Sequence, residues 1–217
     1  MSRRIKPNAY RLGISKPWDT RWITSKRNFA LWLEEDEKIR AAIFKKIGQA
    51  GIARIEIERT PDKYKVFIKA SRPGLIIGRG GKGVEDLTKT LEKAIKSKVA
   101  LNLSVEELKR TETSAAVVAQ NIAWDLEKRF KFRRTIKKHL DSLKQNREVK
   151  GAKIAVSGRL DGNEIARAEA LSTGKLPLST LRSDIDYGEA TAFTTAGTVG
   201  IKVWIYRGEI FENKSNK

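Results

Sequence analysis

The sequence predicts an α+β protein of two units, and three observations carry that reading. Apolar residues recur three or four apart in some stretches and at period two in others, the signatures of amphipathic helices and half-buried strands. Between two such stretches stands Ile76-Ile77-Gly78-Arg79-Gly80-Gly81-Lys82-Gly83-Val84, where apolar residues lead into Gly-x-x-Gly and then into an amphipathic run through Leu87, Leu91 and Ala94/Ile95. Beyond about residue 107, two helical runs precede a series of alternating segments.

Residues 1–36 read as a basic N-terminal arm and linker. Arg3, Arg4, Lys6, Arg11, Lys16, Arg21, Lys26 and Arg27 interleave with Tyr10, Trp18 and Trp22, and Pro7, Gly13 and Pro17 interrupt any helix. Cations mixed with aromatics suit an arm that orders on nucleic acid, pairing phosphates and stacking on bases. Two tryptophans argue against a leader that stays disordered.

Asp36 reads as the N-cap of a helix carrying Ile39, Ile43 and Ile47, with Gly48 as its stop. Glu34, Glu35 and Glu37 beside it read as helix-start charge. Ile55 and Ile57, then Tyr64, Val66 and Ile68, alternate with polar residues on either side of Thr60-Pro61-Asp62-Lys63, a hairpin with one buried face. Arg72-Pro73-Gly74 breaks the strand, and Leu75-Ile76-Ile77 makes a short apolar turn. The glycine loop follows, then a helix to about Lys98, and Leu101, Leu103 and Val105 close the sheet. The order α-β-β-α-α-β over residues 37–107 is that of a type II KH domain. Its glycine loop clamps about four nucleotides of single-stranded nucleic acid by their backbone. Gly78, Gly80 and Gly81 leave the main chain bare, Arg79 and Lys82 add charge, and the next helix offers unpaired N–H groups.

Residues 108–217 read as a C-terminal α+β domain, two helices on an antiparallel sheet. Ala115, Val118, Ile122 and Leu126 mark one helix, continuing towards Phe130; Phe132, Ile136, Leu140 and Leu143 mark the other. Period two then holds at Ile154 and Val156, at Ile165, at Ile185, Tyr187 and Phe193, and at Ile201, Val203 and Ile205. Asp161-Gly162-Asn163 and Ala196-Gly197 are turn chemistry between these strands.

Charge narrows the function. The 217 residues carry 45 Lys+Arg against 26 Asp+Glu, a formal +19. Such an excess opposes compaction unless a polyanion neutralises it. No stretch approaches the roughly 20 apolar residues of a membrane span, so no membrane is expected. Met1-Ser2-Arg3-Arg4 leads to no apolar signal core, and secretion is not expected. With no cysteine, disulfides and thiolate metal sites are excluded.

The second helix of the later unit is the next most specific feature. Arg133 and Lys137 stand four apart, as do Arg134 and Lys138, on the side away from Phe132, Ile136 and Leu140. Like charges at that spacing cost about 0.2–0.5 kcal/mol per pair on an isolated helix, so the row points to a phosphate backbone. Cofactor motifs fail. Gly78, Gly80 and Gly83 satisfy Gly-x-Gly-x-x-Gly, yet Pro73-Gly74 separates the strand from the loop, and no acidic residue stands near Asn102. A Walker A loop would need Ser or Thr at position 83 and Gly at 76. His139, the single histidine, reads as a surface residue without a catalytic partner, and Asp184 and Asp186 as partners of Arg182 rather than metal ligands. No enzymatic activity, cofactor or metal is expected.

Together these residues resemble the family of the third protein of the small ribosomal subunit, in its bacterial or organellar form. The resemblance spans nearly the whole chain: Lys6-Pro7-Asn8, Arg11-Leu12-Gly13-Ile14 and Lys16-Pro17-Trp18; Arg72-Pro73-Gly74 into Ile77-Gly78; Phe132-Arg133-Arg134; Val156-Ser157-Gly158-Arg159-Leu160 with Glu164-Ile165-Ala166-Arg167; and Asp184-Ile185-Asp186-Tyr187 with Gly200-Ile201-Lys202-Val203-Trp204. It implies a structural constituent of the small-subunit head that binds ribosomal RNA and lines the channel where messenger RNA enters. By the same resemblance Arg133, Arg134 and Lys137, extended by Lys138, face the incoming message and support its unwinding. Gly78, Arg79, Gly80, Gly81 and Lys82 form the KH contact, and Arg3, Arg4, Lys6, Arg11, Lys16, Arg159 and Arg167 meet ribosomal RNA. The implied partners are ribosomal RNA, messenger RNA and the head proteins ten and fourteen, with protein two as a further candidate. A homo-oligomer is not implied, and the implied location is the ribosome, in the cytoplasm or in an organelle's matrix or stroma.

Two departures stand out. The loop reads Arg79-Gly80 where the family often has two basic residues, and Gly83 should weaken the following helix by up to ~1 kcal/mol relative to Ala. The runner-up reading is a free regulatory KH protein that binds assorted RNAs.

Overall fold

The computed structural model describes residues 5–60, 63–95, 100–108 and 113–211. They form two compact units, Trp18–Lys109, and Met1–Pro17 together with Arg110–Lys217. The stretch read as one arm is therefore divided: its first part packs with the C-terminal unit, and the rest belongs to the KH unit.

In the KH unit, α2 (Lys26–Ile47) is followed by β2 (Ile52–Arg59), β3 (Lys63–Ala70), α3 (Pro73–Ile77), α4 (Lys82–Ala94) and β4 (Ala100–Glu107). That is the expected α-β-β-α-α-β order. A two-residue strand, β1 (Thr20–Arg21), is added alongside β2, giving a sheet in the order β1-β2-β3-β4. β2 and β3 are antiparallel, with Ile57 opposite Val66, whereas β1 and β4 run parallel to their neighbours. Ile55, Ile57, Tyr64, Val66 and Ile68 point to one face, on which Ile39 and Ile43 of α2 and Leu87 and Leu91 of α4 close the core. Pro61 and Asp62 of the expected turn, and 96–98 at the expected helix end, lie outside the described residues.

α2 begins eleven residues before the expected start, with Ser25 rather than Asp36 at its N-cap, which overturns the reading of Asp36 and its neighbours. Asp36 is mid-helix and buried, and its Oδ2 accepts from Trp22 Nε1 at 2.7 Å. Burial pushes its carboxyl above the ordinary range, against the pull of that hydrogen bond. Glu35, also buried, accepts from Arg59 Nη1 (2.7 Å) and Tyr64 Oη (2.5 Å). The Arg59 guanidinium lies between the Trp32 ring, 3.7 Å from its centroid, and that of Tyr64, at 4.3 Å. These acids hold α2 to the sheet and the preceding segment; they are not helix-start charge.

In the second unit, α5 (Ala115–Glu127) and α6 (Phe132–Gln145) precede β5 (Gly151–Gly158), β6 (Arg167–Gly174), β7 (Ser183–Thr194) and β8 (Gly197–Glu209). The sheet is antiparallel throughout, in the order β6-β5-β8-β7. Ala119, Ile122, Ile136 and Leu143 of the helices pack on Ile154, Val156, Ile201, Val203 and Ile205. A Cβ at Gly188 would stand 2.4 Å from the Ala115 carbonyl, so glycine is what lets α5 settle on β7. Asp186 caps the start of α5, accepting from Ala115 N at 2.9 Å.

Two expectations change here. Ile165 is not in a strand: it is 83 % exposed in a bend, and β6 begins at Arg167. Arg182 does not pair with the aspartates. Arg207, on the facing strand, reaches Asp184 (3.8 Å) and Asp186 (3.3 Å) from a register shift, where it stands between Gly208, opposite Asp184, and Tyr206, opposite Ile185.

Candidate nucleic-acid interface

The glycine loop forms as its composition requires. Gly78, Gly80 and Gly81 have φ of +67°, +63° and +81°, a region costly for any residue bearing a Cβ. The chain thereby reverses within four residues and enters α4 at Lys82. Gly78, Arg79, Gly80 and Lys82 are exposed and Gly81 half-buried, and neither cationic side chain has a hydrogen-bond or ion-pair partner among the described residues. Gly83, by contrast, is a packing position. A Cβ there would lie 2.5 Å from the Ile76 carbonyl oxygen and 2.9 Å from that of Ile77, so α3 and α4 meet backbone to backbone. The expected weakening of the helix is the lesser effect at this site.

On α6, Phe132, Ile136, Leu140 and Leu143 face the core, which sends Arg133, Arg134, Lys137 and Lys138 outward; all four are exposed. Arg134, Lys137 and Lys138 have no partner among the described residues. Arg133 is engaged: its Nε and Nη2 donate to the two carboxylate oxygens of Glu169 on β6, each at 3.1 Å. Those hydrogen bonds hold the Glu169 carboxyl below the usual carboxylate range. Arg167 approaches the same carboxylate at 3.6 Å, and Arg133 and Arg167 both stand over the Phe132 ring.

The other expected RNA contacts divide by burial. Arg11 is fully buried, and its guanidinium donates to the carbonyls of Ser183 (2.8 Å), Pro7 (3.2 Å), Leu178 (2.9 Å) and Thr180 (2.8 Å). It holds α1 (Pro7–Tyr10) to the approach and start of β7, which engages four of its five N–H donors inside the unit. Lys16 donates to Asn8 Oδ1 (3.0 Å) and the Ile185 carbonyl (2.6 Å), with Asp186 at 3.9 Å. Burial lowers its pKa. Both residues are structural in this unit. Lys6 pairs with Glu189, which in turn accepts from Tyr187, whose hydroxyl burial pushes up to about 12. Arg159 is exposed, yet donates to the carbonyls of Asn163 and Ala196, each at 3.0 Å, tying two loops together. Arg3 and Arg4 lie outside the described residues. His139 is half-buried rather than on the surface, its Nε2 3.0 Å from Asp125.

Comparison with known proteins agrees with this layout. A family described as "KH domain" matches residues 38–113, and one described as "Ribosomal protein S3, C-terminal domain" matches residues 122–205. Small ribosomal subunit protein uS3 of Alkaliphilus oremlandii is 49 % identical over 215 residues, covering 99 % of this chain and 89 % of that one. Its counterpart in Desulforamulus reducens is 51 % identical over 211 residues (97 % and 94 %), and that in Clostridium novyi 47 % over 214 (99 % and 96 %).

The chain belongs to the uS3 family of small ribosomal subunit proteins.

It is a structural, non-enzymatic family, and membership implies a ribosomal structural role and RNA binding. Among the described residues no group of three or more metal-ligating side chains gathers, and no helix is long and apolar enough to cross a membrane.

The network around Arg59 escaped sequence reasoning, although its signal was present. Arg59 continues the odd-numbered set Ile55, Ile57, which strand parity places on the buried face.

Proposed function

We propose that this chain sits in the head of the small subunit, in the cytoplasmic ribosome, and grips incoming messenger RNA along α6. Arg134, Lys137 and Lys138, with Arg133 beside them, hold single-stranded message by its phosphates and keep it from re-pairing. The observation that carries this is the row itself: three exposed cations on one helix, with no anion among the described residues answering them. The glycine loop, with Arg79 and Lys82 exposed and unpaired among the described residues, supports a second RNA contact by backbone N–H groups and charge. Arg167 and Arg3, Arg4 and Lys6 are assigned to ribosomal RNA. Neighbouring head proteins, ten and fourteen among them, would cover the exposed apolar residues Ile23, Phe29 and Leu33 of the KH unit, a contact between unlike chains rather than a homo-oligomer. No bond is made or broken.

The test is translation in a reconstituted system. Replacing Arg133, Arg134 and Lys137 by Ala should leave subunit assembly intact and slow translation several-fold through structured messages only. Equal slowing on unstructured messages would overturn the role in unwinding.

A further inference from the structure

The second unit has a cleft that the phosphate grip does not use. It measures about 350 Å³ and lies where the end of α5 and the start of α6 meet the loops 159–163 and 194–196. The volume falls in the range of small-ligand sites. Its floor is apolar, built from Leu126, Phe132, Leu160 and Val199, all buried. On its wall Phe130 is 56 % exposed, a large ring left without cover.

Charge and backbone set the rim. Arg129, Lys131 and Arg159 supply three cations and Asp161 one anion, and the side chains of Arg129 and Lys131 have no partner among the described residues. Arg129 (φ +64°) and Asp161 (φ +54°) are the two non-glycine residues with positive φ among those described, and both line this cleft. Arg129 occupies the left-handed position ending α5, where Phe130 N bonds back to the Asp125 carbonyl at 3.1 Å and Arg129 N to that of Leu126 at 2.9 Å. Glycine is usual there. The strained arginine turns the chain so that Phe130 enters the cleft wall and α6 starts at Phe132, one residue before the Arg133–Lys138 row. Asp161 Oδ1 accepts weakly from Phe132 N at 3.4 Å, which leaves Oδ2 to another donor.

We propose that this cleft holds one unstacked base of the single-stranded RNA whose phosphates lie on α6. The inference rests on the message-gripping reading and deepens it from charge to base. The apolar floor and Phe130 take the ring face, Arg129 and Lys131 the flanking phosphates, and the Asp161 carboxylate an exocyclic amino group. A carboxylate accepts from cytosine N4, and uracil has a carbonyl oxygen at that place. The site therefore prefers cytosine to uracil, a discrimination that a phosphate grip alone lacks.

Binding of fluorescent 12-nucleotide oligocytidylate and oligouridylate to the full chain tests this, with Arg79 and Lys82 changed to Glu to silence the glycine loop. Phe130 is on the surface and Asn tolerates the backbone at 161, so both variants should keep the native circular dichroism. Phe130→Ala should weaken oligocytidylate binding about tenfold, in line with loss of one base stack, without changing its salt dependence. Asp161→Asn should erase the preference for oligocytidylate. If both variants bind like the parent while Arg134→Ala/Lys137→Ala loses affinity, the cleft assignment is wrong and the phosphate grip stands. If neither set changes binding, both are wrong.

Discussion

Arg11 and Arg134 carry the same guanidinium to opposite ends. Folding commits four of the five N–H donors of Arg11 to four backbone carbonyls and buries it, whereas Arg134 stands in solvent with none of its donors engaged by the described residues. A side chain can grip RNA only with donors left over from folding, so the sequence block around Arg11 reports on architecture rather than on contact. Lysine offers three donors on one nitrogen and cannot reproduce the planar fork. Arg11→Lys should therefore lower the urea-unfolding stability of the C-terminal unit by about 3 kcal/mol, given 1.5–3 kcal/mol for a charged hydrogen bond and the coupling among these. The affinity of the folded protein for single-stranded RNA should stay unchanged. A stability within about 0.5 kcal/mol of the parent, at the level of an ordinary surface change, would remove the structural role.

At the scale of elements, helix and strand periods were legible nearly throughout. Apolar spacing placed α4, α5 and α6 and the strands β2, β3, β4, β5, β7 and β8, because each buries one face and that face must repeat at 3.6 or 2 residues. Where burial is weak the pattern fails. β6 is an edge strand, exposed at most positions, so the lone Ile165 drew the expected strand two residues too early. α2 was truncated for the opposite reason: its buried acids look like surface charge until Arg59, Tyr64 and Trp22 are seen to answer them. The candidate site was legible as charge but not as pairing. Which of Arg133 and Arg134 meets Glu169 depends on how β6 passes α6, a long-range fact absent from helix spacing. Gly83 shows how a local rule is overruled by contact. Alanine gains up to ~1 kcal/mol of helix propensity, but its Cβ would stand 2.5 Å from the Ile76 carbonyl, and overpacking of that kind costs about 1–3 kcal/mol. Gly83→Ala should lower the melting temperature of the chain and speed amide exchange in the first turn of α4. A rise in melting temperature would show that α3 moves aside freely.

For the molecule as a whole, the surplus of +19 is not spread evenly in its availability. Lys6, Arg21, Arg54, Arg59, Lys69, Arg167 and Arg207 are answered by carboxylates. Among the described residues, Arg79 and Lys82 at the glycine loop, Arg134, Lys137 and Lys138 of α6, and Arg129 and Lys131 at the rim of the cleft beside it keep theirs, while Arg133 is answered by Glu169. Each unit thus presents unanswered charge on a helix or at its N-terminal loop, which suits a chain whose compact state is completed by a polyanion. The most direct test of that account is the salt dependence of single-stranded RNA binding to the full chain, compared with Arg134→Ala/Lys137→Ala/Lys138→Ala. Each phosphate contact contributes about 0.7 to the slope of log K against log salt concentration for single strands. The account predicts a slope shallower by about 2 in the triple variant, with weaker binding at low salt. An unchanged slope and affinity would contradict it.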